Sequence, residues 1–175
     1  MNNLLALYGY DYKRVEKIPT TTSNPSKRGK LPFAIHIAES KAESKTATKN
    51  ATEEVQVYMD GSAINGKVGA ATILTKIGQP PHILHMHLGP KDEHTIHEAE
   101  LVGMLLGMQL IKTERHGSMS FMLGVNNQAA IKAFQMDLRS PGHHLAREFL
   151  QVANQVKRKR KRARYTLTIR QDTRE

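Results

Sequence analysis

An α/β domain built on a mixed sheet is the fold class this sequence predicts, and three observations predict it. Five short runs of alternating or β-branched apolar residues lie between Val55 and Arg170. Helical spacing fills the long stretch before the fourth run and the stretch before the fifth. The first three runs follow one another across turns, as antiparallel neighbours do, and the later ones are joined through helices, as parallel neighbours are.

Val55, Val57 and Met59 alternate with Gln56 and Tyr58 in the first strand, which ends at Asp60 with Gly61-Ser62 turning sharply beyond it. Asn65-Gly66 reads as a tight hairpin turn, since both residues tolerate positive φ. Val68 to Leu74 is the second strand, and His82 to Leu88, after the Pro80-Pro81 break, is the third. Glu98, Leu101, Val102, Leu105, Leu106, Met108, Leu110 and Ile111 predict a helix from about Thr95 to Lys112. It is apolar over a wide arc and therefore mostly buried. Met119 to Val125 follows His116-Gly117 as the fourth strand, and Asn126 or Asn127 can cap a short helix through Phe134. Beyond Pro141-Gly142, Leu145, Phe149, Val152 and Val156 mark a further helix. Tyr165, Leu167 and Ile169 alternate with Thr166 and Thr168 in the fifth strand.

Residues 1–54 differ in composition. Lys13 to Lys30 is rich in Thr, Ser, Pro and basic residues, as linkers are. Leu31 to Ile37 suits an extended segment, because Pro32 disfavours helix around it. Glu39 to Glu54, almost without large apolar residues, reads as a linker in preference to a polar helix. The expected layout is an irregular arm over 1–54, a domain over 55–170 and a tail over 171–175.

Composition narrows the function classes. Lys+Arg exceed Asp+Glu by 26 to 16 in 175 residues, a net charge of +10, which makes nucleic acid the first partner to consider. Hydrophobic residues at 39% suffice for one core but not for every segment. With no cysteine, disulfides, thiolate zinc sites and cysteine nucleophiles are excluded. No apolar run approaches a membrane span, and Met1 to Asp11 lacks the features of a secretory signal, so an intracellular, soluble protein with no membrane partner is expected.

Gly61 to Lys67 fits most of the phosphate-cradling loop pattern. Val68 stands where that loop needs a hydroxyl, and a strand follows where it needs a helix, so a hairpin is the better reading. His85 and His87 share a strand face, and His94-Thr95-Ile96-His97-Glu98 opens the long helix. Neither matches the His-Glu-x-x-His zinc pattern, so exposed or supporting histidines are expected. Lys157 to Arg164 places seven basic residues in eight, which suits a solvated helix end, a polyanion contact or a nuclear import signal. The carboxylates are the most informative. Asp60 stands at a strand end and Glu100 inside an apolar helix, where an unpaired charge is costly. A divalent cation shared by the two would relieve that cost, and oxygen donors without sulfur point to Mg²⁺ or Mn²⁺.

Taken in order, Tyr58-Met59-Asp60-Gly61-Ser62 through Ala71, His94-Thr95-Ile96-His97-Glu98-Ala99-Glu100-Leu101-Val102-Gly103, and Gly124-Val125-Asn126-Asn127-Gln128-Ala129-Ala130-Ile131 resemble the type-1 ribonuclease H domain. The copy in fungal non-LTR (LINE-type) retrotransposon polyproteins is the most similar, and Pro141-Gly142-His143 and Leu167 to Arg170 fit its later elements. Tyr12 to Pro19 and Ile35 to Ser40 resemble the stretch joining a reverse transcriptase to that domain.

The resemblance implies a ribonuclease H-like, five-stranded mixed sheet, only its second strand antiparallel, with flanking helices. It implies two-metal endonucleolytic hydrolysis of the RNA strand of RNA–DNA hybrids, with metal ions held by four carboxylates. Asp60 and Glu100 match the first two carboxylates, and both are expected to be catalytic and metal-binding. Asn126 stands at the third, a degenerate catalytic position, and Gln128 and Ser62 match substrate-binding positions. The family's fourth carboxylate lies beyond the fifth strand and before a C-terminal helix, whereas this sequence runs Gln171-Asp172-Thr173-Arg174-Glu175. The expectation is a degenerate copy lacking that helix, of marginal stability, with Mg²⁺ or Mn²⁺ weakly bound if at all. Little or no cleavage should remain, the alternatives being a non-catalytic nucleic-acid-binding domain or a retroelement remnant. Asp60 and Glu100 should approach each other at the central strand with Asn126 beside them.

Overall fold

The computed structural model describes residues 31–114, 120–134, 142–160 and 165–171. In chain order the elements are β1 (Ala34–His36), α1 (Lys41–Lys49), β2 (Val55–Ile64), β3 (Lys67–Lys76), β4 (His82–Pro90), α2 (Ile96–Thr113), β5 (Ser120–Val125), α3 (Gln128–Lys132), α4 (His143–Lys159) and β6 (Thr166–Gln171). They form one sheet in the order β1-β6-β5-β2-β3-β4, in which β3 alone runs against the other strands.

The β2–β3 hairpin turns on Asn65 (φ 50°) and Gly66 (φ 74°), the left-handed pair a two-residue turn requires. Strand β2 is longer than its sequence suggests. It continues through Gly61 and Ser62, paired with Ala70 and Gly69, so no turn follows Asp60. Ladder pairing on that side overrides the turn tendency of Gly-Ser. Val55, Val57 and Met59 face α2, and so do Phe121, Leu123, Val125, Leu167 and Ile169, their register partners or neighbours in β5 and β6. Leu101, Met104, Met108 and Ile111 of α2 complete this core with Phe149, Ala153 and Val156 of α4. Helix α2 starts with a reciprocal cap: the Glu98 N–H donates to Thr95 Oγ1 (3.1 Å), and Glu98 Oε2 accepts from the Thr95 N–H (2.7 Å).

The segment expected to be an irregular arm is structured from Ala34 on. Strand β1 pairs in parallel with β6, giving six strands among the described residues rather than five. Phe33 is buried against Phe134 and Phe149, at centroid distances of 5.6 and 5.5 Å. The favoured linker over 39–54 contains helix α1. Ser40 caps it by accepting from the Glu43 N–H (3.1 Å), and buried Ser44 donates to the Gln171 carbonyl (2.7 Å). Arg170, which alternates with core-facing Ile169, donates to the Ala47 carbonyl (3.3 Å) and pairs with Glu53 (2.7 Å). Helix α1 therefore lies over the sheet face opposite α2, where Met122 is buried. Few apolar contacts hold it; its anchors are polar and come from β6, which hydropathy does not register. Among the described residues no helix is long and apolar enough to cross a membrane. The stretches around Tyr12 to Pro19 and Asp172 to Glu175, and residues 161–164 of the basic run, lie outside the described residues.

Candidate active site

Strand β5 stops at Val125, paired with Met59, while β2 runs on to Ile64. From Asp60 onward the β5-facing edge of β2 is thus unpaired among the described residues, and the three expected residues meet at this gap. Asn126 leaves the end of β5 and donates from Nδ2 to Asp60 Oδ1 at 2.8 Å. Asn127, not Asn126, caps α3, its Oδ1 accepting from the Ala129 N–H at 2.8 Å. That division of labour leaves the Asn126 side chain for Asp60.

Glu100 enters from the first turns of α2, and Gly61 makes its approach possible. A Cβ at Gly61 would stand 2.6 Å from the Glu100 backbone nitrogen and 2.8 Å from the Ala99 carbonyl carbon. Only a residue without a side chain lets the helix lie so close to β2. The Gly61 backbone N–H then hydrogen-bonds the Glu100 carboxyl group, which is 3% exposed. Burial pushes the Glu100 pKa up to about 7, the nearby Asp60 charge pushes in the same direction, and the Gly61 bond opposes both. Glu100 Oε2 is buried without a hydrogen-bond partner among the described residues. Asp60 is exposed. The gap therefore holds one open carboxylate, one buried carboxyl group with an unused oxygen, and a neutral amide bonded to the first.

A pair of hard cations does not fit this donor set. Two such ions need several anionic oxygens, whereas here two carboxylates are present and an N–H points at one of them. Among the described residues no group of three or more His, Asp or Glu side chains is arranged to hold a metal ion.

The other expected site residues lie nearby in different settings. Ser62 is exposed two residues beyond Asp60 on the same face of β2. Gln128 opens α3, and its Nε2 donates to Gln171 Oε1 at 2.7 Å, so it is tied to the end of β6. Gln171 and Gly61 are contributors the sequence reading left out. A glycine directly after an exposed strand carboxylate, with an acidic residue in a facing helix, is the signal that would have found Gly61. Of the basic run, the described residues 157–160 lie at the end of α4, away from this gap. Arg160 follows α4 and donates from one guanidinium nitrogen to the carbonyls of Ile111 (3.2 Å) and Glu114 (2.7 Å), at the far end of α2 from Glu100.

A sheet with one antiparallel strand, second in its five-strand core, and the long helix α2 across its central strands define the ribonuclease H-like fold. A solved structure agrees. LC11-RNase H1, in complex with an RNA/DNA hybrid, matches over 69% of this chain and 86% of its own, with 16% identity and a TM-score of 0.50. RNase H1 from the halophilic archaeon Halobacterium salinarum covers the same shares at 16% identity and a TM-score of 0.49. The RNase H domain of PFV matches over 70% of this chain and 81% of its own, at 14% identity and a TM-score of 0.45. No protein-family model matches the sequence, and no curated protein does.

Proposed function

We propose that the chain is a nucleic-acid-binding domain of type-1 ribonuclease H descent, drawn from a LINE-type retroelement, that holds RNA–DNA hybrid and cleaves it weakly or not at all. One observation carries the reading. At the position where the resemblance puts a third carboxylate, the Asn126 amide donates to Asp60. An N–H aimed at Asp60 competes with any cation for that oxygen and brings no negative charge of its own. Hydrolysis through two ions, which a full carboxylate set would support, loses its metal-binding charge. Binding does not depend on that charge. The net charge of +10 favours phosphates, and Ser62 and Gln128 flank the gap with groups suited to 2′-hydroxyls. That LC11-RNase H1 was solved on an RNA/DNA hybrid supports the choice of ligand. The run 157–164 serves, in this reading, as a polyanion contact or nuclear import signal, its Arg160 excepted.

A labelled RNA–DNA hybrid tests both halves. Anisotropy should show binding that weakens steeply between about 50 and 200 mM salt, as counterion release demands. With Mg²⁺ or Mn²⁺ the same hybrid should stay intact over hours. Affinity insensitive to salt would remove the electrostatic argument, and rapid metal-dependent cleavage would remove the claim of impairment.

A further inference from the structure

Among the described residues the sheet face away from α2 is open over β2, β3 and β4, and its register sorts the side chains into rows. Asp60 stands opposite Ala71, which stands opposite His85; Ser62 stands opposite Gly69, which stands opposite His87. The middle strand contributes only a methyl group and a hydrogen to these rows. The result is a shallow cavity of about 320 Å³ whose lining includes His85, His87, Asp60, Ser62 and Lys67.

We infer that His85 and His87 form a chelating site for a borderline divalent transition ion such as Zn²⁺, Ni²⁺ or Cu²⁺. Side chains two apart on a strand project from one face, with Cα atoms about 6.7 Å apart at the usual rise. Two imidazoles across that span lean together onto one ion at the short metal–nitrogen distance of about 2.0–2.1 Å. Both histidines are exposed, and among the described residues neither has a hydrogen-bond or ion-pair partner. His94 and His36, by contrast, face Glu98 and Glu43 at 3.8 and 3.7 Å. The nitrogen lone pairs of His85 and His87 are therefore free to bind. Pairing of β4 with β3 fixes the two Cβ positions, so the second imidazole binds at high effective concentration once the first has bound.

The chemistry separates this site from the carboxylate gap. Imidazole nitrogen suits Zn²⁺, Ni²⁺ and Cu²⁺ and is a poor ligand for Mg²⁺, whereas carboxylate oxygens have the opposite preference. No third histidine or acidic side chain is arranged to complete a metal cluster among the described residues. Water fills the remaining coordination positions, and the ion stays open toward the cavity. The sequence alone gave these histidines no metal role, because it does not show that only Gly69 and Ala71 lie between them and β2.

Calorimetric titration of the untagged full chain with ZnCl₂ tests the inference, read alongside ¹H–¹⁵N spectra of the histidine side chains. One equivalent should bind, with the resonances of His85 and His87 shifting first. His85→Asn or His87→Asn should weaken binding about tenfold or more, and the double variant should abolish it. Glu100→Gln, by contrast, should leave Zn²⁺ affinity unchanged, and excess Mg²⁺ should not compete. Broadening by paramagnetic Ni²⁺ centred on β4 of the natural chain gives the same answer without any substitution. Undiminished affinity in the double variant, first shifts at His94, His97, His143 or His144, or no binding at millimolar Zn²⁺ would each overturn the site.

Discussion

The two ends of α2 treat charge in opposite ways. At its C-terminal end the Arg160 guanidinium takes up the Ile111 and Glu114 carbonyls and lies 4.8 Å from the centroid of the Phe121 ring. Lys76 pairs with Glu114 at 3.4 Å. Carbonyls that a helix end leaves unsatisfied are met by a cation, as the helix dipole favours. At the N-terminal end the buried Glu100 keeps one oxygen without a partner among the described residues, and a second carboxylate raises its pKa further. The first end is arranged for stability, whereas the second tolerates an unfavourable charge where the resemblance places chemistry. Both ends carry residues that the sequence marks as candidates for function, and the structure assigns them different tasks.

Substitutions sharpen this contrast. Arg160→Ala removes two hydrogen bonds from a charged donor and the contact with Phe121, and should cost about 3–4 kcal/mol in urea denaturation. A cost under about 1 kcal/mol would return Arg160 to the solvated basic run. Gly61→Ala should cost about 3 kcal/mol, because its methyl would meet α2 backbone that cannot move aside as a side chain would. It should also displace Glu100, detectable as a shift of its carboxyl resonance.

Glu100→Gln should act in the opposite sense. The folded-state pKa of about 7 lies above the ordinary 4.5. The native chain therefore binds the extra proton, and this contribution to stability is complete below pH 4.5 and lost as pH rises through 7. The variant should match the natural chain near pH 4 and exceed it by about 3 kcal/mol at pH 8. Equal stability at both pH values would show that the N-terminal end carries no charge strain.

Much of this was legible in the sequence. The alternation of Val55, Val57 and Met59, the Asn65-Gly66 turn and the wide apolar arc of α2 placed the central elements, because each element buries one face and its spacing records that face. Asp60 and Glu100 were marked by their settings, a strand end and an apolar helix, and Asn126 by resemblance; the end of β5 at Val125 brings them to one gap. The extended segment read over Leu31 to Ile37 contains β1, but its pairing into the sheet and helix α1 escaped because their anchors are tertiary: a three-residue edge strand, one phenylalanine, and polar contacts to β6. Ser40 with Glu43 three residues on was the local sign of a helix start. Arg160 escaped for another reason. Within Lys157 to Arg164 seven of the eight residues are basic, and no local feature distinguishes the one that reaches across to α2.

The smallest structural change tests the central claim, that Asp60, Glu100 and Asn126 form one site whose metal-binding power was lost with one charge. Asn126→Asp keeps the side-chain size, replaces a hydrogen-bond donor with a carboxylate beside Asp60, and should cost the metal-free protein about 1 kcal/mol through like-charge repulsion. Titration with Mg²⁺ and with Mn²⁺, followed by calorimetry, should show clearly tighter binding than the natural chain, and Asp60→Ala in the same background should cancel the gain. Unchanged metal affinity in folded Asn126→Asp, or a gain that survives Asp60→Ala, would contradict the claim.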